Sequence, residues 1–539
     1  MASPIRMSGM VSGLDTESIV KALTSSYQTK VDDYKKAQTK LSWKQDAWKE
    51  VNTKINDFYN SLDNYRYQSS WNLQKATASD ATKATVTANG TAFNGTQTLK
   101  ITSLASAASL TSGKLDKVGT GDDKSKVTAS TKLSDIAGAD AVGKTIRITV
   151  GDKNTDLEID ADTTVQSLVN KLKDAGLNAS FDEDQQRFYI SSKKSGTAQS
   201  FSITAGTEAD GMKADNSILK ALKLSSTADD GKVDSNTGAI KKNGVDAEIT
   251  LNGVEYTSSS NNFSINGLNI QALAKTDGDG ITINTQVDTQ GIYDKVKELI
   301  SSYNDLINSL TDKYNAESSG SYEPLTDDEK AQMSDKEVEN WEKKIKTGLL
   351  RRDDTLDSLM STLTNGMMKT YYDDSVATFD DDGNQVLKAG TDASSAKKYS
   401  LATFGIMTKG ILKSATNRQY EYHIDGDEDD ASVSSKTDKL MTAITEDPDK
   451  VVDFVKNLTN NLSKELRKKM TATSLRSVFT VYNDKEMASE YSSYTKLINQ
   501  WTTRLNDMQD SYYKKFSKME STLQELQSST SSISGLVSS

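Results

Sequence analysis

The sequence predicts an α+β multidomain protein in which long helices at both chain ends flank β-rich segments. Apolar residues recur three and four positions apart at each end, over stretches longer than an ordinary globular helix. The intervening Thr-, Ser- and Gly-rich segments alternate apolar and polar residues with a period of two, as strands do. The three prolines, at positions 4, 324 and 448, fall outside the predicted helices. We therefore predict terminal α-helical coiled-coil legs, a helical stalk domain and two inserted β-rich head domains.

The first predicted helix runs from Asp15 to about Arg66. Asp15 is a suitable N-cap, and Glu17 in the first turn favours the positive end of the helix dipole. At about 1.5 Å per residue, residues 15–68 would form a rod about 80 Å long. Its narrow apolar stripe favours a seam along a partner helix over ordinary packing in a globular core. The seam comprises Ile19, Leu23, Val31, Tyr34, Leu41, Trp48, Val51, Ile55, Phe58 and Leu62.

Strand patterns begin near residue 76. Residues 98–102 alternate as a strand, and the same β-rich unit is expected to resume at Ala247–Thr257. Between these parts, residues 146–150 begin a second β-rich unit that includes a short helix over residues 163–172. The Gly-, Asp- and Ser-rich stretch at residues 226–240 is interpreted as a linker back to the first unit.

Helical patterns return at Gly291 with an amphipathic helix. Thr326 with Glu329, and Ser334 with Glu337, form capping boxes that predict two further helices, and Pro448 after Asp447 opens another. The C-terminal stretch then repeats the seam pattern with one phase slip, as in a long helix that pairs along one side. This seam comprises Tyr491, Tyr494, Ile498, Trp501, Leu505, Met508, Tyr512, Phe516, Met519, Leu523, Leu526, Ile533 and Val537.

The order helix, β, β, helix predicts that the two ends of the chain pair and that the β units are insertions. Residues 1–40 and 505–539 are assigned to the coiled-coil legs, 41–76 and 286–504 to the helical stalk domain, 77–120 and 232–285 to the first β-rich head domain, and 121–231 to the second, inserted β-rich head domain.

Composition excludes several classes of function. The net charge of −11 disfavours nucleic acid, because neutralising phosphates needs a basic face. The chain has no cysteine and one histidine, which rules out disulfides, zinc–thiolate sites and multi-histidine sites. No apolar run is long enough to span a membrane, and residues 1–15 lack the apolar core of a secretory signal peptide. We predict no catalytic residue, no metal and no cofactor.

One sequence string matches a phosphate-binding loop. Residues 138–145 (GADAVGKT) fit the pattern G-x-x-x-x-G-K-[ST]. That loop needs a helix after it, whose N-terminal amides hold the phosphates. Here the string is followed by residues 146–150, which alternate as a strand. We therefore interpret it as a turn that enters a strand, and an NTPase that uses Lys144 is the least favoured function.

Two acidic clusters resemble calcium loops only in part. Carboxylates at Asp425, Asp427 and Asp429 occupy the first, third and fifth positions of such a loop. The sixth position is Asp430 where glycine is required, and the twelfth is Lys436 where glutamate is required. We predict a solvated acidic turn here, and another at residues 380–383. The only histidine, His423, lies beside the first turn in an alternating strand.

Residues 12–23 (SGLDTESIVKAL) resemble the N-terminal signature of the flagellar filament cap protein family (hook-associated protein 2, FliD). Residues 246–253 (DAEITLNG) resemble the same family, and these two stretches carry most of the resemblance. Other similar stretches keep the family's order along the chain: 97–105 (QTLKITSLA), 322–326 (YEPLT), 348–353 (GLLRRD), 404–406 (FGI), 501–505 (WTTRL) and 516–520 (FSKME). The segment at 121–240 and the acidic hairpin at 420–430 depart from the family pattern.

The resemblance implies a filament cap that the flagellar export apparatus secretes and that acts outside the cell, at the distal tip of the bacterial flagellum. It implies a homo-oligomer, a pentamer on the filament, that promotes flagellin folding and polymerisation and prevents flagellin loss. Implied partners are flagellin and a cytoplasmic export chaperone at the C-terminal helix. A hook–filament junction protein, a flagellin-like subunit and a surface adhesin that binds host mucin are the alternatives.

Overall fold

The computed structural model describes residues 11–119, 124–206, 217–228, 230–380 and 384–537, with residues 535–537 described by their backbone alone. Two compact units are formed. The helical unit contains the chain up to Trp71 and again from Thr289, and the β unit runs from Asn72 to Asp288. The predicted α+β class is confirmed. The finer division into legs, stalk and two heads stays a prediction.

Three helices open the helical unit: α1 Thr16–Leu23, α2 Ser25–Ser61 and α3 Asp63–Arg66. The Asp15 carboxylate accepts a hydrogen bond from the Ser18 amide at 3.0 Å, so the predicted N-cap is confirmed. The prediction of one uninterrupted helix is wrong, because the chain breaks at Thr24 and Leu62. The Thr24 hydroxyl and the Thr24 amide both donate to the Val20 carbonyl, at 2.8 Å and 2.9 Å.

The β unit alternates strands with short helices. Its elements in chain order are β1 Gln74–Ala78, β2 Ala84–Ala88, β3 Gly95–Ser103, β4 Ala107–Thr111, α4 Leu133–Ala137, β5 Thr145–Val150, β6 Lys153–Glu158, α5 Val165–Asp174, β7 Leu177–Asp182, β8 Arg187–Ser195, β9 Phe201–Gly206, α6 Ser217–Ala221, β10 Ile240–Lys242, β11 Ala247–Leu251, β12 Val254–Ser258, β13 Asn262–Ile265, β14 Leu268–Ala272 and β15 Ile281–Val287.

Two apolar cores hold these strands. One core lies among the sheet β1-β15-β3-β11-β12 and the sheet β13-β14-β2, with Leu99, Ile249 and Ile283 fully buried. The other lies among the sheet β10-β4-β8-β7, the sheet β6-β5-β9 and α5, with Ile146 and Leu168 fully buried. Among the described residues the paired strands of these sheets run antiparallel. Alternating side chains therefore fill each core, as the period of two predicts.

The hairpin between β11 and β12 shows why residues 246–253 are distinctive. Leu251 pairs with Val254, so the turn consists of Asn252 and Gly253 alone. Both residues have positive φ, 51° and 84°, as a two-residue hairpin turn of this twist requires. Asn-Gly is the pair that adopts this conformation most readily.

The stretch at residues 226–240 is not a plain linker, which corrects the sequence interpretation. Asp234 is buried, and its carboxylate accepts hydrogen bonds from the amides of Thr227 at 2.7 Å and Thr237 at 3.0 Å. These amides hold the pKa of Asp234 well below its ordinary value. The chain then enters β10, which pairs with β4. This polar stretch is therefore an ordered turn, held by hydrogen bonds to the buried Asp234 carboxylate.

The helical unit resumes after the β unit. Its elements are α7 Thr289–Tyr314, α8 Asp327–Lys330, α9 Asp335–Thr347, α10 Asp354–Met367, β16 Tyr371–Tyr372, β17 Ala377–Phe379, β18 Gln385–Leu387, β19 Lys398–Tyr399, β20 Ile406–Thr408, β21 Tyr422–Ile424, α11 Lys439–Glu446, α12 Pro448–Lys469 and α13 Asp484–Val537. Both predicted capping boxes are present, at Thr326 and Ser334. Pro448 is the first residue of α12, as predicted.

Candidate functional site

Helices α2 and α13 bring the two ends of the chain together. Tyr27 packs on Trp501 with ring centroids 6.2 Å apart, and Tyr34 packs on Tyr494 at 6.4 Å. The partner number falls as the α2 number rises, so the two helices are antiparallel. The Gln38 side-chain amide donates to the Thr495 hydroxyl at 2.7 Å and to a backbone carbonyl of α13. The seam thus alternates aromatic packing with polar contacts.

The segment that leads into α13 packs against α2 near Trp48 and Asn52. Trp48 stacks on Tyr482 at 5.4 Å with an angle of 11° between the rings, and both are buried. The Asn52 side chain accepts from the Val481 amide at 2.9 Å and donates to the Phe479 carbonyl at 3.2 Å. Phe479 has a φ of 57°, which is unusual for a bulky residue. Asn52 therefore fixes the chain that positions α13.

The predicted seam residues divide by exposure. Those that are buried are Val31, Leu41, Trp48, Val51, Ile55, Phe58, Leu62 and Leu505. Those that are half-buried are Ile19, Tyr34, Tyr494, Ile498, Trp501, Met508, Tyr512, Phe516, Met519 and Leu523. Those that are exposed are Leu23, Tyr491, Leu526 and Ile533, and the side chain of Val537 lies outside the described residues.

From Leu505 onward, the seam residues of α13 become more exposed toward the end of the helix. Leu505 is 6% exposed, whereas Leu526 is 57% and Ile533 61% exposed. Exposed leucine and isoleucine at helical spacing form an apolar face that the described chain leaves in solvent. An assembly role for the seam stays a prediction, and these exposed residues are where a partner has most to bury.

Val20 is a buried apolar residue of α1 that was not in the predicted seam. Val20 is 1% exposed, whereas the predicted Leu23 is 47% exposed. The break at Thr24 changes the helix face that meets α13, so a stripe extended through residues 15–66 selects the wrong residue of α1. The hydroxyl of Thr24 does not indicate this break from sequence, because Thr29 and Thr53 make the same bond to their own backbone inside α2.

The N-terminal segment is tied to the end of the chain by Glu520. Its carboxylate accepts from the Val11 amide at 2.9 Å and from the Ser12 amide at 3.2 Å, and the Ser12 hydroxyl donates to the other oxygen. The Ser12 hydroxyl and the Val11 amide hold the pKa of Glu520 below its ordinary value. Sequence reasoning missed this contact, because no local pattern links residues at opposite ends of a chain.

The acidic turn differs from the solvated turn that was predicted, because its carboxylates have partners. Asp425 is 5% exposed and accepts from the Lys436 amine at 2.8 Å. Asp427 and Asp429 both accept from the Lys297 amine at 2.6 Å. Burial alone would lower the pKa of Lys297, but the two carboxylates raise it. The turn is therefore a structural element that ion pairs join to α7.

His423 belongs to the same network. Its Nδ1 lies within hydrogen-bond distance of the Asp430 carboxylate, which also accepts from the Ser432 hydroxyl. Burial alone would raise the pKa of Asp430, but Ser432 and His423 lower it to about 2. In the part of the chain that the structure describes, no group of three His, Asp or Glu residues is arranged to hold a metal ion. The second predicted acidic turn, at 380–383, lies mostly outside the described residues.

The string at residues 138–145 is a turn that enters β5, as its context predicted. The Gly143 amide donates to the Ile159 carbonyl at 2.7 Å, and the Lys144 amide donates to the Ala141 carbonyl at 3.2 Å. A phosphate-binding loop needs such amides free and directed at the ligand. Here they are used by the protein's own backbone, and a strand follows where a helix is required.

Comparison with known proteins gives consistent results. The family model for the N-terminus of flagellar hook-associated protein 2 matches residues 12–108, and that for its C-terminus matches residues 244–528. Flagellar hook-associated protein 2 of Halalkalibacterium halodurans is 25% identical over 67% of this chain and 68% of its own length. The A-type flagellar hook-associated protein 2 of Pseudomonas aeruginosa is 24% identical over 72% of this chain and 76% of its own length.

A solved structure, that of the D1-D2-D3 domains of the flagellar cap protein FliD from Escherichia coli, is 16% identical, covers 83% of this chain and 99% of its own, and has a TM-score of 0.45. None of the helices in the described ranges combines the length and apolarity needed to cross a membrane. Two family models that match both ends of the sequence, in the family's own order, carry the assignment. The chain belongs to the flagellar hook-associated protein 2 (FliD) family.

Proposed function

We propose that this protein is the cap of the bacterial flagellar filament, an oligomeric assembly factor that promotes flagellin folding and polymerisation and prevents flagellin loss. The observation that carries this function is the family match over residues 12–108 and 244–528. The paired terminal helices agree with it, since a cap needs elements that reach subunits beyond its own core. None of the alternatives, a junction protein, a flagellin-like subunit or an adhesin, is favoured by a specific observation.

The exposed apolar end of α13 supports a role in partner binding. Leu526 and Ile533 lie in solvent near the end of α13, and burying such residues on a partner is favourable by about 1.5–3 kcal/mol each. We propose that this end contacts flagellin on the filament and an export chaperone in the cytoplasm, a helix-in-groove mode for the latter. We further propose a pentamer on the filament, secretion through the flagellar export apparatus and no catalytic activity.

The first test is the position of the protein on intact flagella. Immunogold labelling with an antibody against residues 121–231 is expected to mark the distal tip. Label at the hook would favour a junction protein, and label along the shaft would favour a flagellin-like subunit. Absence of flagellar label would overturn the proposed function.

The second test concerns the exposed end of α13. A variant with Leu526→Ser and Ile533→Ser is expected to be folded but to release flagellin into the medium, measured by immunoblot in cells whose own copy is deleted. Val254→Ser, which removes an exposed apolar side chain from the β unit, is the matched control. If the double variant retains flagellin as well as the control does, this end of the helix takes no part in capping.

A further inference from the structure

Ile411 and Leu412 are the most exposed large apolar residues in the described ranges of the chain. They lie in the loop between β20 and β21 and are 83% and 100% exposed. This loop is attached to the end of α7, because the Asn315 side-chain amide donates to the Asn417 side chain at 2.9 Å. Neighbouring large apolar residues that lie fully in solvent are typical of a surface that binds a partner. We call Ile411 and Leu412 the apolar pair.

Lysines flank the apolar pair. Lys409 and Lys413 lie on either side of it, and neither makes an ion pair or a side-chain hydrogen bond in the described part of the chain. Residues 409–420 include no acidic residue, although the whole chain has a net charge of −11. The loop therefore has the chemistry to bind a surface that combines apolar side chains with free carboxylates.

A groove of about 360 Å³ between α2 and α7 has this chemistry. Phe58 of α2 and Leu306 of α7 are its buried apolar lining. Asp57 and Asp305 line it as well, and both are exposed and make no ion pair with any described residue. The amine of Lys54, which also lines the groove, is already bonded to a serine of α7 at 2.8 Å. The groove thus offers two unpaired carboxylates beside apolar side chains.

The loop and the groove lie on different sides of α7. Leu306 lines the groove, whereas Asn304 exchanges two hydrogen bonds with the backbone of Tyr422 in β21, the strand that follows the loop. Residues two positions apart on a helix lie about 160° from each other around its axis. Because the two surfaces of one chain face away from each other, the loop of one copy is directed at the groove of another.

We propose that the apolar pair of one copy of this chain inserts into the α2–α7 groove of the next copy, with the two flanking lysines paired to the two carboxylates of the groove. Because the two surfaces are different, the contact is head-to-tail and can repeat around a closed ring. This inference rests on the proposed oligomeric cap and identifies the surfaces that join its subunits. A cap joined through other surfaces would still be labelled at the end of the filament, so the immunogold test and the tests below can fail separately.

Disulfide trapping tests the contact directly, because the chain has no cysteine of its own. Ser302 lines the groove, and a disulfide forms only where two Cα atoms come within about 7 Å. In full-length protein that carries Leu412→Cys and Ser302→Cys, oxidation is expected to link copies in a ladder of dimers, trimers and larger species. The matched control combines Leu412→Cys with Ser489→Cys, an exposed serine of α13 outside the groove, and should give no ladder.

The pattern of linked species decides between arrangements of the copies. Each single variant has one cysteine and should stay unlinked. A dimer from Leu412→Cys alone would show that two loops meet each other, and it would overturn the proposal. So would the absence of a ladder both from concentrated purified protein and from intact flagella that carry the protein at their distal ends.

Charge reversal tests the ion pairs. Lys409→Glu with Lys413→Glu is expected to weaken self-association about tenfold, measured as a dissociation constant by analytical ultracentrifugation. Asp57→Lys with Asp305→Lys should do the same. All four changes together should restore most of the affinity, because opposite charges then meet again. If the four changes restore nothing, the lysines and the carboxylates do not meet, and the proposal is overturned.

Leu412→Ser tests the apolar part of the contact. It is expected to weaken self-association about tenfold or more, since burial of a leucine is lost, and to leave the unfolding temperature unchanged, because Leu412 is fully exposed. Val254→Ser, which removes an exposed apolar side chain of the β unit, is the matched control. Equal self-association of the two variants would overturn the proposal. Binding of wild type but not of Leu412→Ser to phosphatidylglycerol vesicles, without any ladder, would identify a lipid surface as the partner and would overturn it as well.

Discussion

At the scale of single residues, the acidic turn shows how a sequence of like charges becomes stable structure. Asp425, Asp427 and Asp429 would repel one another if left unpaired. Lys297 donates hydrogen bonds to Asp427 and Asp429, and Lys436 donates one to Asp425, which offsets most of this repulsion. Lys297 could not be identified as a partner from sequence, because it lies on α7, 130 residues from Asp427. The turn itself was predictable, and its burial was not.

The pH dependence of stability follows from Asp430. Its pKa in the folded protein, about 2, lies below its ordinary value of 3.8. A lowered carboxyl pKa stabilises the folded state above pH 3.8, and this contribution is lost as the pH falls from 3.8 through about 2. The contribution at neutral pH is about 2 kcal/mol. Asp430→Asn is expected to remove it, measured as the free energy of unfolding in urea at pH 5.

The same variant provides its own control at low pH. Because the wild-type contribution is mostly lost by pH 2.5, Asp430→Asn and wild type should differ by less than about 1 kcal/mol there. Other carboxylates titrate equally in both proteins and cancel from the comparison. A difference that stays constant between pH 5 and pH 2.5 would show that Asp430 acts through packing rather than through its charge.

At the scale of elements, helices α10 and α12 approach closely at Gly366. A Cβ added to Gly366 would lie 2.5 Å from a terminal methyl carbon of Leu462, which is 1% exposed. Alanine is the better helix former by about 1 kcal/mol, but overpacking a buried contact costs about 1–3 kcal/mol. We therefore expect Gly366→Ala to destabilise the helical unit by about 1 kcal/mol, measured by urea unfolding monitored by circular dichroism.

Relief of the contact is the control for this prediction. Combining Gly366→Ala with Leu462→Val makes room for the new methyl group and should cost less than the two single changes added together. Additive losses would mean that Gly366 and Leu462 do not interact energetically. A stabilising Gly366→Ala would show instead that Leu462 can move aside.

Element type and helix starts were largely predictable, and helix partners were not. Capping boxes at Thr326 and Ser334 depend on residues three apart, so the sequence displays them directly. The apolar stripes of α2 and α13 were equally visible. The stripes do not show which of their residues α2 and α13 bury against each other, because that depends on contacts between distant parts of the chain, such as the bond from the Val481 amide to the Asn52 side chain. The position of exposed apolar residues at the end of α13 required the structure.

At the scale of the whole molecule, the β unit begins and ends on neighbouring strands, as an inserted domain does. Its first and last strands, β1 and β15, are antiparallel neighbours in which Gln74 pairs with Val287. The Asp288 amide donates to the Leu73 carbonyl at 3.0 Å, so the chain enters and leaves the unit side by side. The order of β segments between helical segments predicted this insertion. The buried Asp234 turn was not foreseen, because polar composition alone is typical of linkers.

A fragment of residues 72–288 is therefore expected to fold alone. The buried residues of both apolar cores lie within the fragment. Its two ends are adjacent, as is common for a domain that folds by itself. The measurement is cooperative urea unfolding of the fragment with a dispersed amide NMR spectrum. Fragment 100–288, which lacks β1 and β2 and most of β3, is the control: it should lose the first apolar core and keep the second, whose buried residues lie between positions 108 and 239. A disordered 72–288 fragment would contradict the prediction.

The contact between Ser12 and Glu520 has a consequence for the timing of folding. These residues are 508 positions apart, so their contact closes a very long loop of the chain. A chain that emerges N-terminus first must complete almost all of its length before α2 meets α13. Local strands and hairpins can close long before then, because short-range contacts form faster. Val11 and Ser12 are thus made early but held in place late, because their partner Glu520 follows them in the chain by about 500 residues.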